Sequence, residues 1–214
     1  MTEIIETSPV ASLLFAITIV SSFLALQNPE MMRRWILNPY NFVYRQQYHT
    51  ILTSGFIHAD LPHLALNMFA FYFFAFSLEE DMVMLAGVTG HFIFLFIYLV
   101  SMVLADISSI IKYKNDPGYN SLGASGAIAA VLFSFILFEP SQTLRPVLFP
   151  VPIPAPVFIV LYMVYSINAS RKNADNINHE AHLYGAFAGL VLTAIIFPGR
   201  LPYFIDEVKE LLPF

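Results

Sequence analysis

The sequence predicts an all-α, polytopic membrane protein built as a bundle of six transmembrane helices. Three observations predict it. Of 214 residues, 57% are hydrophobic and only 12% are charged, about half the charged share of a soluble domain. Mean hydropathy is +0.67. Apolar stretches close to the roughly 20 residues needed to cross a bilayer recur along the chain. Phe occurs 21 times, which suits contact with lipid better than a compact aqueous core.

Taken in order, segment one runs over Pro9–Leu26. Segment two runs over Leu61–Leu78 and is expected to end at Glu79-Glu80-Asp81. Segment three covers Met84–Leu104, and segment four covers Ala124–Phe138, closed by Glu139-Pro140. Segment five covers Val151–Ile167, with Pro152, Pro154 and Pro156 at its entry. Segment six covers Ala181–Phe197, closed by Pro198-Gly199-Arg200. The expectation is one membrane domain over 1–214, with a core of about 9–197, a short acidic N-terminus and a tail over 198–214. The connection from Gln27 to Asp60 is long, aromatic and amphipathic, and predicts an interfacial, partly embedded element rather than disorder.

Composition narrows the function. There is no Cys, so neither a disulfide framework nor a thiolate metal site is expected. Net charge is −5 without a basic run, which excludes nucleic acid as an expected partner. The opening Met1-Thr2-Glu3-Ile4-Ile5-Glu6 lacks a basic signal region and an Arg-rich presequence, so the first segment reads as a retained helix. The expected location is an integral, multi-pass one in a prokaryotic cell membrane. A cytoplasmic N-terminus would put Arg145, Arg200 and Lys209 inside, and Arg33, Arg34, Arg45, Lys112, Lys114, Arg171 and Lys172 outside. The count favours the opposite orientation, but without the first loop it is nearly balanced, so charge does not decide.

Polar residues within spans are costly, and each is a site candidate. Segment two carries His63 and Asn67, segment four opens with Ser125, and segment six carries His182. These three segments cross in one direction. Measured from the expected far ends, Ser125 lies about 20 Å away and His63 and His182 about 22 Å away. All three would sit several Å beneath one membrane face. Asn67 follows His63 by one turn on the same helix face. A nucleophile, a base and two donors thus converge. Each alone would more often be helix glue. Small residues flank Ser125 at Gly123, Ala124, Gly126 and Ala127, and segment six repeats Ala181, Gly185 and Gly189. A Ser oxygen reaches an imidazole on a neighbouring helix only if the backbones nearly touch, and small residues permit that.

At these residues the chain resembles the rhomboid family of intramembrane serine proteases over roughly residues 45–197. Gly123-Ala124-Ser125-Gly126 is similar to the motif G-x-S-G. Ala181-His182 with Gly185 and Gly189 is similar to A-H-x-x-G-x-x-x-G. His63 and Asn67, preceded by His58, resemble H-x-x-x-N. The resemblance implies a six-helix rhomboid-like bundle and a serine endopeptidase that cleaves membrane proteins within or beside a transmembrane segment. It implies that Ser125 is the nucleophile and His182 the general base and acid. His63, Asn67 and the Ser125 backbone N–H would bind the oxyanion. Gly123, Gly126, Gly185 and Gly189 would be structural, as would Glu79, matched to a Glu that holds the first loop. Segment five, or the loop before segment six, would gate substrate. The lipid bilayer is the other partner, and no cofactor or metal is implied.

Two departures stand out. His49-Thr50 occupies the place of the family's Trp-Arg pair. Ala129 occupies the place where some members stack a Tyr on the histidine, which leaves the orientation of His182 without an account. No third acid is needed: a buried carboxylate would be costly to desolvate, and Glu180 points to another helix face. Ser125 at a helix N-terminus places free N–H groups where an oxyanion would form.

Rival readings are weaker. Zinc on His58, His63 and His182 is disfavoured because His58 and His63 would diverge by about 140° on a helix. His91 reads as a packing residue and His179 as a loop residue. A transporter would need intramembrane charge pairs or broken helices. A non-catalytic relative that binds or escorts membrane proteins would usually have lost the Ser or the His, and this chain has both.

Overall fold

The computed structural model describes residues 2–146, 151–172 and 178–211. In chain order its helices are α1 (Thr2–Thr7), α2 (Pro9–Gln27), α3 (Pro29–Trp35), α4 (Pro39–Tyr44), α5 (Thr50–Thr53), a 3-10 turn (Ser54–Phe56), α6 (Leu61–Ala86), α7 (Thr89–Tyr113), α8 (Ser125–Phe138), α9 (Ala155–Lys172), α10 (His179–Ile196) and α11 (Arg200–Leu211). The short strands β1 (Thr143–Leu144) and β2 (Ile153–Pro154) pair antiparallel between α8 and α9.

The protein is an all-α polytopic membrane protein. Among the described residues, four helices are long and apolar enough to span: α2, α6, α7 and α10. The other two expected spans are present as helices but differ. Segment four is α8, apolar but only 14 residues long, or about 21 Å against a hydrocarbon core of about 30 Å. Segment five is α9, which carries Asn168, Arg171 and Lys172 toward its end.

The shortness of α8 follows from its position. Every residue from Gly126 to Phe138 is buried, so the helix is the axle of the bundle and touches almost no lipid. A helix apolar on all sides suits such a place. Around it lie α6, α7, α9 and α10, with α2 packed outside α6. Phe71, Phe94, Tyr98, Phe133 and Phe138 fill the core.

Several boundaries differ from expectation. Segment two does not end at Glu79: α6 continues to Ala86. Glu79 can sit inside because its carboxylate is fully buried and satisfied. It accepts from Val10 N at 3.1 Å and Ala11 N at 2.6 Å, and it pairs with His91. The end of α6 thus lies eight residues beyond the expected Leu78, so the depth of His63 does not follow from Leu78. Segment three is displaced toward the C-terminus as α7, because the chain turns at Gly87, whose φ is +58°. Segment five starts at Ala155, since Ile153 and Pro154 are extended against Leu144 and Thr143.

The 27–60 connection is folded. Asn28 and Asn38 cap the Pro-initiated α3 and α4. The connection is laced to the segment before α8. Leu37 and Ser121 exchange backbone bonds of 3.1 and 2.8 Å. Asn38 Nδ2 donates to Pro117 O and Tyr119 O, and Gly123 N donates to Ser54 O at 2.9 Å.

Candidate active site

Ser125 is the first residue of α8, and no side chain caps that helix. The N–H groups of its first turn therefore have no side-chain acceptor from a cap, and the helix dipole favours negative charge there. His182 lies in the first turns of α10. Its Nε2 is 2.7 Å from Ser125 Oγ, a normal hydrogen bond.

That contact depends on glycine. A Cβ on Gly185 would collide with the Gly126 carbonyl, with its carbon only 2.8 Å away. A Cβ on Gly189 would lie 2.5 Å from Ala130 Cα. A Cβ on Gly126 would lie 2.7 Å from Ala105 Cβ on α7 and 3.5 Å from Ala181 O. The small faces of α8 and α10 thus meet backbone to backbone beside the Ser–His pair. One helical repeat further along, Thr193 Oγ1 donates to Ser134 Oγ at 2.8 Å, which donates to Gly189 O at 3.1 Å.

Gly123 has φ +114°, a region that favours glycine. A Cβ there would lie 2.9 Å from the His63 ring. The imidazole of His63 is therefore tucked against the backbone two residues before Ser125. Asp60 starts α6 by accepting from His63 N at 2.7 Å. Asn67, one turn on, is buried, and its Nδ2 donates to His63 O at 3.0 Å. Its amide is turned back on its own helix. Glu79 lies about 24 Å along α6 from His63. Its bonds go to the start of α2 and to His91, rather than to the 27–60 connection.

His58 proves central to the loop before Ser125. Its ring is fully buried. Nε2 accepts from Ala124 N at 3.4 Å and Nδ1 faces Ser22 Oγ at 2.9 Å, while Ser22 Oγ donates to Phe56 O at 3.1 Å. This chain of bonds requires a neutral ring protonated on Nδ1, and it leaves neither nitrogen for a metal. Burial, aided by His63 and opposed by Asp60, lowers the pKa of His58 from 6.5 to about 3. The folded pKa lies below the unfolded one, so the stability from this group is complete above about pH 6.5 and declines as pH falls toward about 3, by up to about 1.4 kcal/mol per unit. Wild type should lose more unfolding free energy between about pH 7 and pH 4.5 than His58→Gln, which cannot titrate. Equal losses would assign the acid sensitivity to other groups.

The orientation of His182 has an aromatic neighbour after all. His179, read from the sequence as a loop residue, is the buried first residue of α10. Its ring meets that of His182 edge to face at 6.0 Å and that of Tyr165 at 5.5 Å. Glu180 turns away and pairs with Lys112 at 2.8 Å. The loop suggested as a gate lies largely at 173–177, outside the described residues. The roles of Ser22, Ser121, Asn178 and His179 were not seen in the sequence, although Asn178 before an apolar helix is an N-cap signal.

Residues 45–199 match the family described as the Rhomboid domain. The chain is 30% identical over 181 residues to RHOMBOID-like protein 12, mitochondrial, of Arabidopsis thaliana, covering 81% of this chain and 53% of that relative. It is 27% identical over 158 residues to Rhomboid-like protein 11, chloroplastic, of the same plant, covering 70% of this chain and 52% of the relative. It is 28% identical over 148 residues to Rhomboid protein 1, mitochondrial, of Saccharomyces cerevisiae, covering 66% and 40%. The chain thus spans about half the length of the curated relatives it matches. Their names carry organelle designations, and none supports the expected prokaryotic cell membrane.

Proposed function

We propose that this chain, which belongs to the rhomboid family, is an intramembrane serine endopeptidase acting on membrane proteins that carry a transmembrane segment. The observation that carries the reading is the 2.7 Å bond between Ser125 Oγ and His182 Nε2. Nε2 accepts the hydroxyl proton as Oγ attacks the scissile carbonyl, and it returns that proton to the leaving amine. Water, activated by the same nitrogen, then cleaves the ester on Ser125. In the tetrahedral intermediates the negative oxygen is bound by the Ser125 N–H at the start of α8. Asn67 and His63 supply further donors from α6, with the Asn67 amide turning from His63 O toward the substrate. A hydrogen bond already formed without substrate favours this reading over a partner that only binds or escorts membrane proteins.

The test is covalent labelling of the detergent-purified protein by a fluorophosphonate. The expected result is a phosphonylated Ser125 with loss of fluoride, no adduct in Ser125→Ala and almost none in His182→Ala. Equal labelling of wild type and Ser125→Ala would overturn the assignment, and a folded wild type that never labels would favour the non-catalytic reading.

A further inference from the structure

Asn178 precedes α10 and makes bonds of two kinds. Its Oδ1 accepts from Ala181 N at 3.1 Å, which caps the helix. Its Nδ2 donates to Ser109 Oγ at 2.7 Å and lies 3.3 Å from Ser121 Oγ. Capping needs only the acceptor, and Ser, Thr or Asp would supply it as well. Two donor contacts to other parts of the fold exceed what a cap requires.

The partners explain what the extra contacts join. Ala181 is the residue before His182. Ser121 is four residues before Ser125, in the strand-like segment already pinned to Leu37. Ser109 is fully buried on α7, a fixed post between them. Asp106, one turn earlier on α7, lies near the hydroxyls of Ser121 and Ser54.

We propose that Asn178 is a positioning residue for the Ser125–His182 pair, its single amide tying the start of the His182 helix to the segment that leads into Ser125. The proposal rests on the protease reading. The glycine contact at Gly126 and Gly185 fixes how closely α8 and α10 approach on one side of the pair. Asn178 fixes them on the other. Together the two contacts prevent α10 from rotating about its axis and swinging the imidazole off Oγ. Asn is the residue that supplies the acceptor and both donor contacts at once.

The test separates positioning from capping. Inactivation by a fluorophosphonate is followed at several concentrations to give a maximal rate and a half-saturating concentration. Asn178→Ser keeps a good cap but is too short to bridge. Its maximal rate should fall about 10²-fold, the scale of a 1 Å misplacement, with half-saturation unchanged. The double variant Ser109→Ala with Ser121→Ala, in which the cap is untouched, should behave like Asn178→Ser, and it decides the matter if Asn178→Ser does not fold. A wild-type maximal rate in Asn178→Ser or in the double variant overturns the proposal. If wild type itself does not label, it is the protease reading that fails. The crystal structure of Asn178→Ser then decides this one: a Ser125–His182 separation beyond about 3.5 Å supports it, and an unchanged separation overturns it.

Discussion

Gly185→Leu should abolish fluorophosphonate labelling although Ser125 and His182 are both intact. The glycine faces the backbone carbonyl of Gly126, one residue after the nucleophile. The atom that an added side chain would meet is main chain, so no rotamer change relieves the clash. Overpacking costs about 1–3 kcal/mol in a soluble core, and relief here means moving α10 away from α8. The Ser–His bond is 2.7 Å long, and a displacement of about 1 Å is enough to cost about 10²-fold. Gly185→Ala carries the same clash with less bulk and should slow labelling in a protein that still folds. Leu190 is half-buried, about 140° around the helix from Gly185, so Leu190→Ala should label nearly normally. Wild-type labelling of both Gly185 variants, with failure at Leu190→Ala, would show that another face of α10 meets α8.

Glu79→Ala should be the most destabilising substitution at the opposite end of the bundle. Glu79 is fully buried and serves three donors: Val10 N, Ala11 N and His91 Nδ1. Its removal strands two N–H groups in the first turn of α2 and leaves the His91 ring without its acceptor. Breaking a buried pair by deleting one partner costs about 3–5 kcal/mol. Glu80, next in sequence, accepts from Thr7 Oγ1 at an exposed position, and Thr7→Ala should change stability by about 0.5 kcal/mol or less. Unfolding by heat or denaturing detergent checks both. The site lies about 24 Å along α6 from His63, so the folded fraction of Glu79→Ala should still label. A variant as stable as wild type would mean that water or another chain atom replaces the carboxylate.

What could be read in the sequence divides along physical lines. The Ser125–His182 meeting was legible because helical rise is regular and because small residues at Gly126, Gly185 and Gly189 announce a close crossing. The extent of α6 was not legible: Glu79-Glu80-Asp81 looks like an exit into water, and only the start of α2 and His91, distant in sequence, make a carboxylate tolerable there. Length and hydropathy alone mark four spans rather than the expected six among the described residues, for a related reason. Length and hydropathy describe a helix facing lipid, whereas α8 faces protein on every side. The folded 27–60 connection does carry a local signal. Asn28-Pro29 and Asn38-Pro39 each place a capping residue before a proline suited to the first helical turn, and both side chains do cap. Asn178 carried half of its meaning in the sequence, as a cap. Its hold on Ser109 and Ser121 depends on how three separate parts of the chain come together.

The complete enclosure of α8 has a consequence for how the membrane can act on this protein. Bilayers differ in thickness, and a spanning helix answers a mismatch by tilting or by deforming the lipid around it. Those forces fall on α2, α6, α7 and α10, which have lipid-exposed residues. The helix bearing Ser125 presents almost no surface to them. Its depth is inherited from its neighbours, as a keel takes its trim from the hull. A thinner or thicker bilayer would therefore be felt at Ser125 only after it had tilted a neighbouring helix, and α10 resists that tilt through backbone contacts at Gly185 and Gly189 that have no slack.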